Sequence, residues 1–212
     1  MADIYIMNVA DCETELISLL PFISEKRRQL AEKLQHKKAA LFKIGSEAIL
    51  AHSLSLPLPC TYQIAQNGKP FISGCKHFNI SHSGAFVVCA VSDAEIGVDT
   101  ELVTRMTPHI MHKFLSPSEI NEYSLLPQSC QNAFLCEKWV RKESYLKLSG
   151  EGLRKSPASL CFEGDRLLEN SEIFCRCFKL SDEQLLAVCS KKELKITIHH
   201  LTENDLKKLK VK

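Results

Sequence analysis

The chain has 212 residues, 45% apolar and 25% charged, enough for one large domain or two small ones with a real core. A formal net charge of +2 excludes a globally basic nucleic-acid binder and confines any basic surface to local patches. Met1 to Leu20 carries Asp3, Asp11, Glu13 and Glu15 and does not read as a signal peptide, and no apolar run reaches the length of a membrane span, so a cytoplasmic location without membrane contact is expected.

Asp3 to Val9 is predicted as a strand, and Pro21 to Leu34 as a helix with Ser24 as its cap. Ala39 to Leu54 follows as a second helix, stopped by Pro57 and Pro59. A short strand is expected at Thr61 to Ile64, and Asn67-Gly68 marks a tight turn. Phe78 to Gly84 reads as a loop that presents donors. Ala85 to Ser92 and Glu95 to Glu101 read as two strands of one antiparallel hairpin around Ser92-Asp93-Ala94. The second half repeats the first in outline. Phe114-Leu115-Ser116-Pro117-Ser118-Glu119 echoes Phe22-Ile23-Ser24-Glu25, and the helix around Glu143 echoes the one around Glu47. Strand-like segments close the chain at Ser159 to Phe162, Ile173 to Leu180, Leu185 to Ser190 and Leu194 to Leu201. The expectation is two related α+β halves, 1–102 and 103–212.

The ten cysteines form no CxxC pair and no zinc-ligand spacing, and several sit in apolar runs such as Val87-Val88-Cys89-Ala90-Val91. They read as reduced, small buried hydrophobes.

Five features can carry chemistry. Asp99 and Glu101 in Ile96-Gly97-Val98-Asp99-Thr100-Glu101 share one strand face. They are either two solvated acids, the commoner case, or oxygen ligands of a hard cation. In Trp139-Val140-Arg141-Lys142-Glu143-Ser144-Tyr145-Leu146-Lys147 the apolar spacing is helical, and Glu143 follows directly on a buried Trp139 and Val140. Glu143 is either in an i,i+4 salt bridge to Lys147 or a metal ligand. Ser81, His82 and Ser83 can present donors to a phosphate or belong to an ordinary capped loop. Asn67-Gly68-Lys69-Pro70 is a turn that holds a cation on a stiff backbone. Lys26, Arg27, Arg28, Lys33, His36, Lys37 and Lys38 form a basic cluster, read as a solvated helix face or a phosphate site.

Taken in order, Gly68-Lys69-Pro70, Phe78-Asn79-Ile80-Ser81-His82-Ser83, Asp99-Thr100-Glu101 and Trp139 to Lys147 resemble the motif series of the 4'-phosphopantetheinyl transferase superfamily. Length and duplication are similar to its larger type, which activates surfactin synthetase. The resemblance runs from Leu20-Pro21-Phe22 to about Ser190. It implies a pseudo-duplicated α+β monomer, each half a small antiparallel sheet with helices, and coenzyme A in the cleft between the halves. It further implies Mg²⁺ on Asp99, Glu101 and Glu143, Lys147 near the pyrophosphate, and His82 on a phosphate. Ser81 and Lys69 match contacts on the nucleotide side, and Lys26 a further basic contact. The implied reaction transfers phosphopantetheine to a serine of an acyl or peptidyl carrier protein, with Glu143, directly or through a metal-bound water, as base. Carrier docking is expected beside Val103 to Leu115, read as a helix starting at Thr107-Pro108. A non-catalytic binder of coenzyme A or carrier protein, and a metal-dependent phosphoesterase, are the rival readings. Two departures stand out. Leu41 occupies the place where the family often has an arginine for the 3'-phosphate, leaving Lys37, Lys38 or Lys43 to substitute. Thr100 replaces a commonly aliphatic residue.

Overall fold

Alternation of buried and half-exposed residues through Ala2–Asn8 builds an opening strand whose Ile4 and Ile6 face inward. The computed structural model describes residues 1–34 and 36–211, with side chains throughout except that of Leu153. In chain order the elements are β1 (Ala2–Asn8), α1 (Glu13–Ser18), α2 (Glu25–Lys33), α3 (Lys37–Ser53), β2 (Gln63–Ile64), β3 (Pro70–Phe71), β4 (His77–Ser83) and β5 (Phe86–Ser92). They continue with β6 (Ile96–Leu102), α4 (Pro117–Ser124), α5 (Gln128–Ser149), β7 (Phe162–Glu163), β8 (Arg166–Leu167), β9 (Asn170–Ser181), β10 (Gln184–Ser190), β11 (Ile196–Leu201) and α6 (Glu203–Leu206).

The architecture is α+β, and its strand pairing is duplicated. In the first sheet β5 lies between β1 and β4, antiparallel to both, and in the second β10 lies between β6 and β9 in the same way. Each sheet thus joins a lone strand, a long helix and a hairpin: β1, α3 and β4–β5, then β6, α5 and β9–β10. The middle strands β5 and β10 are covered on both faces, which is why Val87-Val88-Cys89-Ala90-Val91 and Leu185-Leu186-Ala187-Val188-Cys189 read as unbroken apolar runs. β11 then returns to pair parallel with β1. The sequence division falls after Leu102, whereas by pairing β6 sides with the second sheet.

Three apolar cores follow from this order. One lies under α3, with Ile44, Ala48, Val87 and Cys89. One lies under α5, with Leu135, Val140, Ala187 and Cys189. The third joins the sheets through Ile4, Ile6, Val88, Ala90, Val98, Leu186 and Val188. Burial pushes the thiols of Cys89 and Cys177 up to about 12, leaving them inert packing groups.

Four sequence expectations are corrected. β5 and β6 do not form a hairpin ladder, since β5 pairs with β1 and β4 while β6 pairs with β10. At Gly97 a Cβ would lie 2.5 Å from Leu148 N, so β6 runs backbone to backbone along α5. His77–Ser83 is a strand and not a loop. The helix expected from Thr107-Pro108 does start there but is a 3-10 turn, Pro108–Lys113, preceded by another at Val103–Arg105, and it stops as Phe114 and Leu115 turn into the second core. Finally, Pro21–Leu34 is broken: a 3-10 turn at Leu20–Phe22 precedes α2, and the Ser24 hydroxyl is donated to Glu47 Oε2 (2.6 Å) rather than used as a cap.

Candidate active site

β4 and β6 meet where the halves join, and side chains bridge them. Asn79, Ser81 and Ser83 alternate along β4 toward β6. Asn79 Oδ1 accepts from Val98 N (2.9 Å), the Ser81 hydroxyl donates to Asp99 Oδ1 (2.7 Å), and the Ser83 hydroxyl donates to Glu101 Oε1. Asp99 and Glu101 face α5 together, as period two requires, and Gly97 on the same face lets the helix come close enough to deliver its own charges.

α5 supplies Lys147 and Glu143. Lys147 Nζ donates to Asp99 Oδ1 at 2.6 Å and to Ser81 Oγ at 2.9 Å. The i,i+4 salt bridge to Glu143 considered from the sequence is replaced by this cross-helix pairing. Glu143 is half-buried and makes no hydrogen bond or ion pair among the described residues. Burial first, then the Asp99 charge, push its carboxyl above the usual range against the pull of Lys147. Asp99 is 6% exposed, and burial holds it above the usual range too, outweighing Lys147 and Ser81, with Glu101 adding repulsion. Trp139 is only partly buried, stacked edge-on against Phe114 at 5.3 Å, while Val140 is fully buried. Gly150, in the left-handed region at φ 72°, closes α5 just beyond Lys147.

Glu101 carries its own cation. Arg105 Nη1 lies 3.5 Å from Glu101 Oε1 and donates to Ser83 Oγ at 3.3 Å. Lys69 Nζ donates to Ile96 O (3.0 Å) and Leu148 O (3.4 Å), tying the start of β6 to the end of α5. Burial lowers its pKa, with Lys191 adding to that and Glu95 opposing it. Lys69, Asn79, Glu143 and Lys147 line one cavity of about 200 Å³.

His82 points from the other face of β4 and stacks on Phe42 of α3, centroids 4.7 Å apart. Burial, then Lys43, Lys147 and Arg27, lower its pKa, so it stands at the edge of a group of cations. Lys26 is exposed on α2 and makes no hydrogen bond or ion pair among the described residues. Its neighbour Arg27 turns inward instead, donating to Lys43 O (3.1 Å) and Tyr62 Oη (3.3 Å), with Nε 3.5 Å from the buried Glu47.

Of the residues singled out from the sequence, the fold lines one cavity with Lys69, Glu143 and Lys147 and bonds Ser81 and Asp99 to Lys147. It sets Glu101 at the strand end and His82 on the neighbouring face, and leaves Lys26 at the surface. Asn79, Ser83, Gly97 and Arg105 were missed as positioning groups. The signal for the first two was the period-two spacing of Asn79, Ser81 and Ser83. The donor set of Asp99, Glu101 and Glu143 has the chemistry of a hard-cation site, and Asp99 and Glu143 repel each other as acids short of positive charge do. Yet among the described residues no group of three His, Cys, Asp or Glu side chains is arranged to hold a metal ion; Lys147 and Arg105 stand on two of the carboxylates.

The sequence profile described as 4'-phosphopantetheinyl transferase superfamily matches residues 95–201, which contain Asp99, Glu101, Glu143 and Lys147. The 4'-phosphopantetheinyl transferase psf-1 of Bacillus pumilus is 30% identical over 193 residues, 84% of this chain and 83% of that protein. The chain belongs to the 4'-phosphopantetheinyl transferase superfamily. A 4'-phosphopantetheinyl transferase of Bacillus subtilis is 29% identical over 188 residues, 81% of this chain and 84% of that one. Among solved structures, a holo-(acyl-carrier-protein) synthase from Bacillus anthracis str. Ames in complex with CoA (3',5'-ADP) is 23% identical, with a TM-score of 0.40 over 45% of this chain and 93% of that chain. Leu41 is a core residue at 4% exposure, and of Lys37, Lys38 and Lys43 it is Lys43 whose charge is felt at His82.

Proposed function

We infer that the protein is a transferase that moves the phosphopantetheine arm of coenzyme A onto a serine of an acyl or peptidyl carrier protein, releasing 3',5'-ADP. The observation that carries the site assignment is the pairing across the seam: Lys147 and Ser81 on Asp99, with an unpaired Glu143 beside them.

The serine oxygen attacks the β-phosphorus of coenzyme A, and the bond to the 3',5'-ADP oxygen breaks. Glu143 takes the serine proton. It is the acid that has no hydrogen-bond or ion-pair partner among the described residues, and it lines the same cavity as Lys147. Lys147 faces the pyrophosphate oxygens on which charge accumulates, while His82, on the other face of β4, is proposed for a phosphate contact beside Lys43, which takes the 3'-phosphate. Lys69, which lines the cavity, keeps a third donor hydrogen after its two carbonyl bonds and offers it to the nucleotide side of coenzyme A. Asp99, Glu101 and Glu143 would hold Mg²⁺, which supplies charge neutralisation between the phosphates when bound. Lys26 is proposed only as a peripheral attraction for phosphate.

The carrier docks on the segment 103–115. Arg105, His109, His112 and Lys113 are exposed there while its apolar residues face the core, so recognition is by charge, with an acidic carrier as partner. Because both sides of the site come from one chain, the protein is proposed to act as a monomer. No helix among the described residues is long and apolar enough to cross a membrane, and buried thiols such as Cys89 and Cys189 suit a reducing compartment; a cytoplasmic location is proposed.

Intact-mass spectrometry of apo-carriers incubated with coenzyme A and Mg²⁺ tests the reading. A single added phosphopantetheine mass is the expected result. Release of free phosphopantetheine without carrier modification would make the protein a phosphoesterase, and no change with any carrier would leave it a binder.

A further inference from the structure

The two carboxylates of β6 are held in the same manner by different groups. Each takes a hydroxyl from β4, Ser81 for Asp99 and Ser83 for Glu101, and each takes one cation. The cation on Asp99 comes from α5, and the Lys147 side chain is 29% exposed. The cation on Glu101 comes from the turn that opens the segment 103–115, and the Arg105 side chain is 61% exposed. An ion pair in that position is weak and easily exchanged. Arg105 also reaches Ser83 Oγ, so the hydrogen bonds run from guanidinium to hydroxyl to carboxylate. Among the described residues, His109, His112 and Lys113 make no ion pair. Arg105 alone of these four cations touches both the exposed segment and the site.

We propose that Arg105 is a displaceable counter-ion of Glu101. While the segment 103–115 is free, Arg105 and Ser83 hold the Glu101 carboxylate away from a divalent cation. An acidic carrier surface on the segment offers the guanidinium a competing carboxylate and draws it off, which frees Glu101 for the cation. A planar fork that binds any carboxylate two-handed is suited to this exchange. The inference rests on the metal reading given above and goes beyond it by making carrier docking and cation binding one coupled event.

Calorimetric titration of Mg²⁺ alone into the whole protein tests it. Arg105→Gln is expected to bind Mg²⁺ about three- to fivefold more tightly than wild type, the factor an exposed pair supplies. Lys113→Gln removes the same charge from the same segment without touching Glu101, and is expected to match wild type. With saturating apo acyl carrier protein the gap between wild type and Arg105→Gln is expected to close. Equal affinity of wild type and Arg105→Gln, with Glu101→Gln binding more weakly than either, overturns the counter-ion role and leaves the metal reading standing. An equal gain in Lys113→Gln overturns it as well, since the effect is then the general field. A gap that persists with carrier present overturns the coupling. If Glu101→Gln binds Mg²⁺ like wild type, the metal reading fails and takes the proposal with it.

Discussion

Gly97→Ala tests whether the spacing of β6 from α5 sets the site. The new Cβ would lie 2.5 Å from Leu148 N, and nearer still to Ser144 O, both backbone atoms inside a helix that cannot rotate aside. Real Cβ contacts stop near 3.0 Å, so strand and helix must part by a displacement on the order of 1 Å before Ser144 O is cleared. Overpacking of this kind costs about 1–3 kcal/mol, and the upper end applies where the obstacle is backbone. At roughly 2–4 °C per kcal/mol for a protein of this size, Tm should fall by about 6–12 °C. The chemistry should suffer separately. Asp99 sits two residues along the same strand face, and its 2.6 Å bond to Lys147 does not survive a shift of that size. Misplacement by about 1 Å costs roughly 10²-fold in turnover. The assay is holo-carrier formation at saturating coenzyme A, carrier and Mg²⁺, well below the lowered Tm, beside thermal unfolding of the same preparation. Turnover within about twofold of wild type despite a lower Tm would refute the claim that this close approach positions the acids.

Glu143→Gln keeps shape but loses the proton acceptor, so turnover at saturating Mg²⁺ should drop by about 10²- to 10⁴-fold; full rescue by added Mg²⁺ would remove the base role. Lys142 is fully buried, bonded to Glu119 and to Phe114 O (2.7 Å). Lys142→Met strands the Glu119 carboxylate and should cost about 3–5 kcal/mol in urea unfolding, much of it recovered in the double variant with Glu119→Gln; additive losses would contradict this. His82 titrates below its ordinary 6.5 in the folded protein, so the unfolded chain takes up its proton first. Wild type should therefore lose stability relative to His82→Gln as pH falls through 6.5 and below, the difference levelling off once pH passes the folded pKa. Asp99 and Glu143, raised, act in the opposite sense, but they are common to both proteins and cancel; a pH-independent difference in paired urea titrations would disprove the His82 assignment.

Local patterns carried far in this chain. The opening strand, the long helices around Glu47 and Glu143, the buried runs at β5 and β10 and the inert cysteines were legible because apolar periodicity and turn chemistry act within a few residues. The shared face of Asp99 and Glu101 was legible too, since alternation is a property of any strand. Which partner each strand took was not. β6 leaves β5 for β10, and its Gly97 packs against α5 at residues 144–148; both contacts join residues that no local rule connects. The loop reading of Phe78–Gly84 failed for the same reason: Asn79, Ser81 and Ser83 are polar on a strand because their face meets β6 rather than apolar core. The partners of the charges were likewise beyond the sequence. Lys147 goes to Asp99 and not to Glu143, Lys142 goes to Glu119, and Arg105 to Glu101, because a buried or crowded charge takes the nearest opposite charge in space. Residue types suited to phosphate and cation chemistry were visible in the chain; folding set which charges neutralise one another and which, like Glu143, has no ion-pair partner among the described residues.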